Sequence, residues 1–586
     1  MLKKIFIKIY KLIFKYTPQE KFDLEEISNY QKWIKANEPN EKELEQQRKT
    51  RFEFMPKISI VVPMFNTPEK YFKELVQAVQ SQTYSNWELC LADGSGTKLE
   101  YIDKIIEPVK EKVKYKLLDK NLGISGNSNE ALKLVTGDYI ALLDHDDIIP
   151  YFALYEVVKA INENPGVDFI YTDEDKILEE SNKRISPHFK QDYSIDTLRS
   201  YNYICHFSIF KKELMDKLKG FNSEFDGSQD YDLILRATEQ AKKIVHIPKI
   251  LYNWRINSNS VASGASAKPY AYVAAKKAIL ESIKRSGIEG ATVEDSRIIG
   301  HYKINYPVIG NPKISIIIPN KNHKKDLKNC INSILKSSYT NYEIIIVENN
   351  STDNNIFNYY KLLSKNNKIK IVNCDLDTFN YSKLNNYGAS KANGEFFVFL
   401  NNDTKIITND WLETIISNCQ RKEIGIIGAK LIYKNKRIQH AGVVLNLTGT
   451  AGHVNWNEKE NSPGYFGRIM IQQNVSCVTG ALLGISKNVF EKVNGFDESF
   501  PIAYNDVDLC LKVLDIGKLI TYNPYIVAYH FESKSRGYED TEEKRNRLKG
   551  EEKKIKEKWK KYFDKTDKYY NPNLRLDVPN MRIKYD

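Results

Sequence analysis

No Cys-x-x-Cys pair occurs anywhere in the 586 residues. The seven cysteines (Cys90, Cys205, Cys330, Cys374, Cys419, Cys477 and Cys510) are odd in number and scattered. That argues against a disulfide framework and against a structural zinc site, and it fits a reducing, cytoplasmic compartment. Also missing is any run of about 20 apolar residues free of charge, so no membrane-spanning helix is expected. Residues 1–16 lack the uninterrupted apolar core and the small-residue cleavage site of a secretory signal. Excess charge is absent from the body of the chain. Of the net +12, residues 1–21 carry +5 and residues 541–586 carry +6. The near-neutral remainder leaves no basic groove for nucleic acid.

The two ends are where the charge sits. Lys4, Lys8, Lys11 and Lys15 share one helical face, and Leu2, Ile5, Ile9, Leu12, Ile13 and Tyr16 share the opposite one. Residues 1–21 are therefore expected to form a basic amphipathic helix. It would lie on the anionic inner face of the cell membrane or pack on the protein's own body. Residues 22–55 read as a polar helical connector. In residues 541–586, Leu548, Ile555, Trp559 and Tyr562 recur between lysines. This basic tail suits a membrane, another domain or a solvated face.

Between the ends the chain repeats itself. Lys57-Ile58-Ser59-Ile60-Val61-Val62-Pro63 returns as Lys313-Ile314-Ser315-Ile316-Ile317-Ile318-Pro319, and Asn66 matches Asn322. Asp93-Gly94-Ser95 matches Glu348-Asn349-Asn350-Ser351. Leu143-Asp144-His145-Asp146-Asp147 matches Leu400-Asn401-Asn402-Asp403-Thr404, and Gln229-Asp230-Tyr231-Asp232 matches Asn505-Asp506-Val507-Asp508. One order of motifs at nearly constant spacing means two copies of a domain, here 56–305 and 311–540.

Each copy alternates fully apolar strands with helices, the pattern of an α/β fold with a mainly parallel sheet covered on both faces. Loops at the carboxyl ends of such strands converge on one crevice. Pro63, Asn66, Asp93, Asn121, Asp144 and Asp146 are thus candidates for one nucleotide pocket, and Pro319, Asn322, Glu348 and Asn401 for a second. Three acids in four residues at Asp144–Asp147 repel one another. Mg²⁺ or Mn²⁺ would offset them, although an acidic turn that caps a helix has the same composition.

This order of motifs resembles family 2 glycosyltransferases of the GT-A fold over residues 55–540, twice. The tandem form, with Tyr171-Thr172-Asp173-Glu174-Asp175-Lys176 and a closing stretch from His530 to Gly537, resembles bacterial two-domain enzymes of surface-polysaccharide synthesis, rhamnosyltransferases among them. The resemblance implies a metal-dependent, inverting transfer from a dTDP- or UDP-sugar to a lipid-linked glycan. It assigns the pyrimidine base to Asp93 and Glu348, the cation to Asp144, Asp146 and Asp403 with a late His530, and the general base to Asp230 and Asp506. Asp230 also suits a plain helix cap. Asp173, Glu174 and Asp175 are candidates for acceptor or donor-sugar contacts, or for a solvated acidic hairpin. Trp254 and Arg255 would stack on a sugar and pair with the diphosphate, or serve the core. A single active domain with an acceptor-binding partner, and a non-catalytic scaffold, are the competing readings. Oligomeric state is not written in the sequence.

Overall fold

The computed structural model describes residues 20–179, 181–256, 269–532 and 541–585. The basic segment expected at the N-terminus lies outside the described residues, as does most of the closing stretch after Glu532. Among the described residues no helix is long and apolar enough to cross a membrane. The chain forms two compact units. The first is Met1–Tyr193, Asn202–Gly287 and Ile583–Asp586, and the second is Ser194–Tyr201 and Ile288–Arg582.

In the first unit, strands β1 (Ile58–Met64), β2 (Trp87–Asp93), β3 (Val113–Leu117) and β4 (Tyr139–Leu142) run parallel in the order β3-β2-β1-β4. Strands β5 (Phe169–Leu178), β6 (Arg184–His188), β7 (Ser208–Lys211) and β8 (Ile244–Ile256) extend the sheet. β7 runs antiparallel between β4 and β5, and β8 runs parallel to β5. Every residue of β1 and β2 is buried. A strand with apolar side chains on both faces needs a cover on each side. The helix Glu69–Gln80 supplies part of one, burying Phe72, Leu75, Val76 and Val79 at i, i+3, i+4 and i+7. Each such side chain contributes about 1.5–3 kcal/mol.

The second unit repeats the plan. After the hairpin β9 (Thr292–Asp295) and β10 (Tyr302–Asn305) come β11 (Ile314–Asn320), β12 (Tyr342–Glu348), β13 (Ile369–Asn373) and β14 (Phe396–Leu400), parallel in the order β13-β12-β11-β14. β15 (Thr404–Ile406) and β16 (Ile424–Ile432) follow, then the short strands β17 (Ile438–His440), β18 (Val443–Leu445), β19 (Ala451–His453) and β20 (Gln473–Val475). β21 (Leu482–Ser486) runs antiparallel between β14 and β16, and β22 (Leu519–His530) closes the set beside β16 and β15. The α/β, mainly parallel architecture expected from the sequence is present in both units.

Polar residues of the repeat also have structural work. Ser59 Oγ and the backbone N of Thr136 donate to Glu88, which pairs with Lys57. Ser315 Oγ and the backbone N of Asn393 donate to Glu343, which pairs with Lys313. Both clusters tie the starts of neighbouring parallel strands, at the end of the sheet away from the acid knot.

The described parts of the terminal extensions pack on the units. In the first unit Tyr30 and Trp33, on the helix Glu20–Asn37, are buried. In the second, the helix Glu542–Lys558 buries Ile555 and leads to buried Trp559, within the core that holds Val507 and Leu511. Asp567 accepts hydrogen bonds from Leu445 N and Ser476 Oγ. The tail up to Arg582 is thus part of the second unit's body, with Ile555 and Trp559 turned inward.

Candidate active sites

The carboxyl ends of β1, β2 and β4 do bring their loops together. Asn66 N donates to Ser95 Oγ, Gly94 N to Met64 O, and Asn127 Nδ2 to both Met64 O and Asn121 Oδ1. Pro63 is buried in β1, while Asn66 and Asn121 are exposed at the rim. Asn66 takes a positive φ of 47°, which short polar side chains tolerate. Asp93 is fully buried and already bonded. Oδ1 accepts from Ser95 N and Oγ, and Oδ2 from Tyr115 OH at 2.8 Å. Glu348 is held in the same way by Ser351 N and Oγ and by Tyr360 OH. Asn322 repeats the positive φ, at 56°, and its side chain accepts from Thr352 N and Asp353 N beside Pro319 at the end of β11.

The acid knot follows β4. Asp147 is buried, with Oδ2 accepting from Tyr252 OH at 2.6 Å and Oδ1 from Arg255 N at 2.6 Å. Burial, and then the charges of Asp146 and Asp144, push its carboxyl well above the usual range. Asp146 is partly exposed and its carbonyl accepts from Arg255 Nε. Asp144 leaves 49% of its side chain open and lies 3.8 Å from His206 Nε2. His206 stacks on Tyr252, ring centroids 4.4 Å apart, and leans against Trp254 at 5.6 Å. Its Nδ1 is 3.4 Å from Glu174 Oε2. Burial opposes charge on His206, but the Cys205 thiol and the Glu174 carboxylate outweigh it and hold the imidazole well above its usual pKa.

Three expectations are corrected here. Asp173 and Asp175 are fully buried. Asp173 accepts from Lys190 N and His246 Nε2, and Asp175 from Tyr30 OH, Arg184 Nε and Asn253 Nδ2. Neither reaches a sugar, and neither belongs to a solvated hairpin. β5 runs on through them to Leu178, and side chains alternate across a strand, so only Glu174 turns toward His206. Arg255 is the third. Its guanidinium is wholly buried, paired with Glu74 at 2.5 Å and stacked on Tyr71, so it braces the acid knot instead of meeting a diphosphate. Trp254 is partly exposed, packed on the core beside His206 with Lys176 Nζ 5.2 Å from its ring centre.

Asp230 lies at the start of the helix Gln229–Gln240, partly exposed, accepting from Asn202 Nδ2 at 2.9 Å with Cys205 Sγ at 3.8 Å. Asp506 starts the helix Asn505–Asp515 and accepts from Gly480 N at 2.9 Å. The two contact points match. Cys205 and Gly480 each stand shortly before the antiparallel strand beside the acid knot, at the offset that pairs Lys211 with Ser486 on β4 and β14. Asp232 and Asp508 turn inward, to Arg236 and to Trp559 Nε1.

In the second unit Asp403 Oδ1 lies 3.2 Å from His530 Nε2, with Asn401 Nδ2 3.3 Å from the same nitrogen. His530 Nδ1 meets Gln439 Oε1 at 2.7 Å, and Gln439 Nε2 donates to Glu532. Because the amide nitrogen of Gln439 is the donor to Glu532, its oxygen accepts from Nδ1. Nδ1 is thereby held in place and Nε2 faces the Asp403 carboxylate, the orientation of a cation-binding histidine. In the first unit Asp144, Asp147 and His206 offer ligand atoms within 4.8 Å of one another, as do Glu174, Cys205 and His206. Carboxylate oxygen beside imidazole nitrogen suits Mn²⁺ better than Mg²⁺, which prefers oxygen ligands. Since Asp147 is engaged with Tyr252 and Arg255, Asp144 and His206 are the remaining pair, and a cation held there would have to displace the proton that the raised pKa keeps on His206.

His206 escaped the sequence. It sits in Tyr203-Ile204-Cys205-His206-Phe207, with no motif around it. Only the antiparallel pairing of β7 with β4 brings it to the acids. The two units recruit their imidazole from different strands, before β7 in the first and at the end of β22 in the second.

Residues 59–219 and 315–493 match the family model described as Glycosyl transferase family 2. The protein y4gI of Sinorhizobium fredii is 39% identical over 503 residues, 85% of this chain and 55% of that protein. The O-antigen biosynthesis protein RfbC of Myxococcus xanthus is 34% identical over 517 residues, 87% of this chain and 40% of that protein. The chain thus spans about half the length of these relatives. Among solved structures, S. aureus TarS 1-349 overlays with a TM-score of 0.31 at 20% identity, over 39% of this chain and 65% of that chain.

Proposed function

From the premise that the chain belongs to glycosyl transferase family 2, we propose that both units transfer sugars, with inversion, from dTDP-rhamnose or a UDP-sugar to a growing lipid-linked surface polysaccharide. Work at the inner face of the cell membrane belongs to the same proposal. The observation that carries it is the paired placement of Asp230 and Asp506. Each is partly exposed at a helix start, and each is oriented by a group just before the strand that flanks the acid knot. The name of the Myxococcus relative, an O-antigen biosynthesis protein, supports the glycan class.

In this reading Asp93 and Glu348 line the base subsite, prepositioned by Ser95 and Tyr115 and by Ser351 and Tyr360. Asp144, Asp146 and His206 would hold a divalent cation in the first unit, and Asp403 and His530 in the second. Mg²⁺ or Mn²⁺, when bound, supplies stabilisation of the charge that grows on the diphosphate leaving group. A carboxylate oxygen of Asp230 or Asp506 accepts the proton of the attacking acceptor hydroxyl. One attack assisted by one base inverts the anomeric centre. Arg255, through Asp146 and Asp147, keeps the acid knot in place.

The single acid in Asn401-Asn402-Asp403 favours one further reading, in which only the first unit is catalytic and the second binds acceptor. Nucleotide release from a panel of donors separates the two. If both units work, Asp230→Ala and Asp506→Ala each lower turnover. Loss with Asp230→Ala alone selects the binding-module reading, and no loss with either rejects catalysis.

A further inference from the structure

The two copies are not equal in length. Asp146 and Asp403 are 257 residues apart, but Asp230 and Asp506 are 276 apart, so nineteen more residues lie between these points in the second unit. The longer stretch holds β17, β18 and β19 and the loop that carries Trp456. With His530, Glu532 and Thr479 it borders a cleft of about 520 Å³, within the range of small-molecule sites.

The lining decides what kind of molecule suits it. Among the described residues that line the cleft there is no Lys or Arg, and there is one carboxylate, Glu532. No cationic side chain among these described residues pairs with a diphosphate directly, and the cation proposed at Asp403 and His530 would sit at one edge of the cleft. The remaining polar groups are hydroxyls, an amide and imidazoles, which suit uncharged hydroxyls. Trp456 leaves 49% of its surface open, a large exposure for an indole in a polar surround. Its Nε1 donates to Tyr433 OH at 3.1 Å, which fixes the ring. Tyr433 OH donates to Glu532, which also accepts from Gln439, whose oxygen meets His530 beside Asp403. A hydrogen-bonded chain therefore runs from the indole to His530, whose other nitrogen lies 3.2 Å from the acid of the knot, and fixes the platform relative to it. A rigid amphipathic aromatic face with a polar rim is complementary to a pyranose ring, which has a C–H face and a hydroxyl edge.

We propose that this cleft is a saccharide subsite of the second unit, seating a neutral pyranose of the acceptor on the face of Trp456; the acceptor role rests on the transferase reading above. The nineteen extra residues would then make acceptor choice a property of the second copy.

The test labels the full chain with 5-fluorotryptophan. The chain has six tryptophans, and the resonance missing from Trp456→Phe identifies Trp456. Methyl glycosides of glucose, galactose, N-acetylglucosamine and rhamnose are titrated, with UDP and inorganic phosphate alongside. The expected result is a saturable shift of the Trp456 resonance with at least one glycoside, weakened about tenfold or more in its binding, judged from a second tryptophan or from ligand signals, by Trp456→Ala. No shift with any glycoside, or a shift with UDP or phosphate alone, would overturn the proposal. A saturable glycoside shift in a chain that releases no nucleotide from any donor would keep the saccharide site while removing the transferase reading.

Discussion

At Arg255 one side chain carries several obligations. It is wholly buried, donates to the Asp146 carbonyl, pairs with Glu74, and its backbone N holds Asp147. Arg255→Leu keeps the backbone bond but strands the Glu74 carboxylate, which is partly exposed. The expected loss is about 2–3 kcal/mol in chemical denaturation, with weaker cation binding by calorimetry. Asp230→Asn and Asp506→Asn each keep the shape and remove the base. The kcat of the affected unit should fall about 10²–10⁴-fold, with donor KM little changed. Asp196, in the second unit, gives a pH signature. Burial alone would raise its carboxyl, but the Arg421 guanidinium and the Thr521 hydroxyl hold it below its ordinary 3.8. A depressed folded value contributes stability that is present above the unfolded value and lost as pH falls through the folded one. Asp196→Asn should therefore be less stable than the parent at pH 7, and the gap should close below about pH 4 in thermal melts.

Among elements, the tail helix Glu542–Lys558 is the one whose role changed most. Its alternation of lysines and apolar residues suits a membrane, a neighbour or a solvated face equally. What decides is Asp508, a buried carboxylate that needs Trp559 Nε1 and Lys558. Deleting residues 541–586 should destabilise the second unit, and Trp559→Ala alone should cost about 3–5 kcal/mol in denaturant titration. The parallel strands were legible because β1, β2 and β4 are apolar on both faces and end at Asn, Asp and Gly signals. β5 was not. Its acids are satisfied by Tyr30, Lys190, Arg184, His246 and Asn253, up to 145 residues distant, and no local pattern carries that information. The same limit hid His206, while the helix starts at Asp230 and Asp506 were readable because such a start leaves a recurrent local mark.

The whole molecule is one domain plan present in two copies that differ in detail. The strand order, the carboxylate clasp at Asp93 and Glu348 and the helix-start acid at Asp230 and Asp506 persist in both copies. The acids of the knot thin from Asp144, Asp146 and Asp147 to Asp403, the histidine beside them is His206 in the first copy and His530 in the second, and the second copy is nineteen residues longer between Asp403 and Asp506. The measurement closest to this claim is linkage analysis, by mass spectrometry and methylation, of glycan made by the parent, Asp230→Asn and Asp506→Asn chains on one acceptor. Two catalytic units predict that each variant loses a different linkage. If both variants lose the same linkage, or Asp506→Asn yields the parental product, the account of two transferase centres is contradicted.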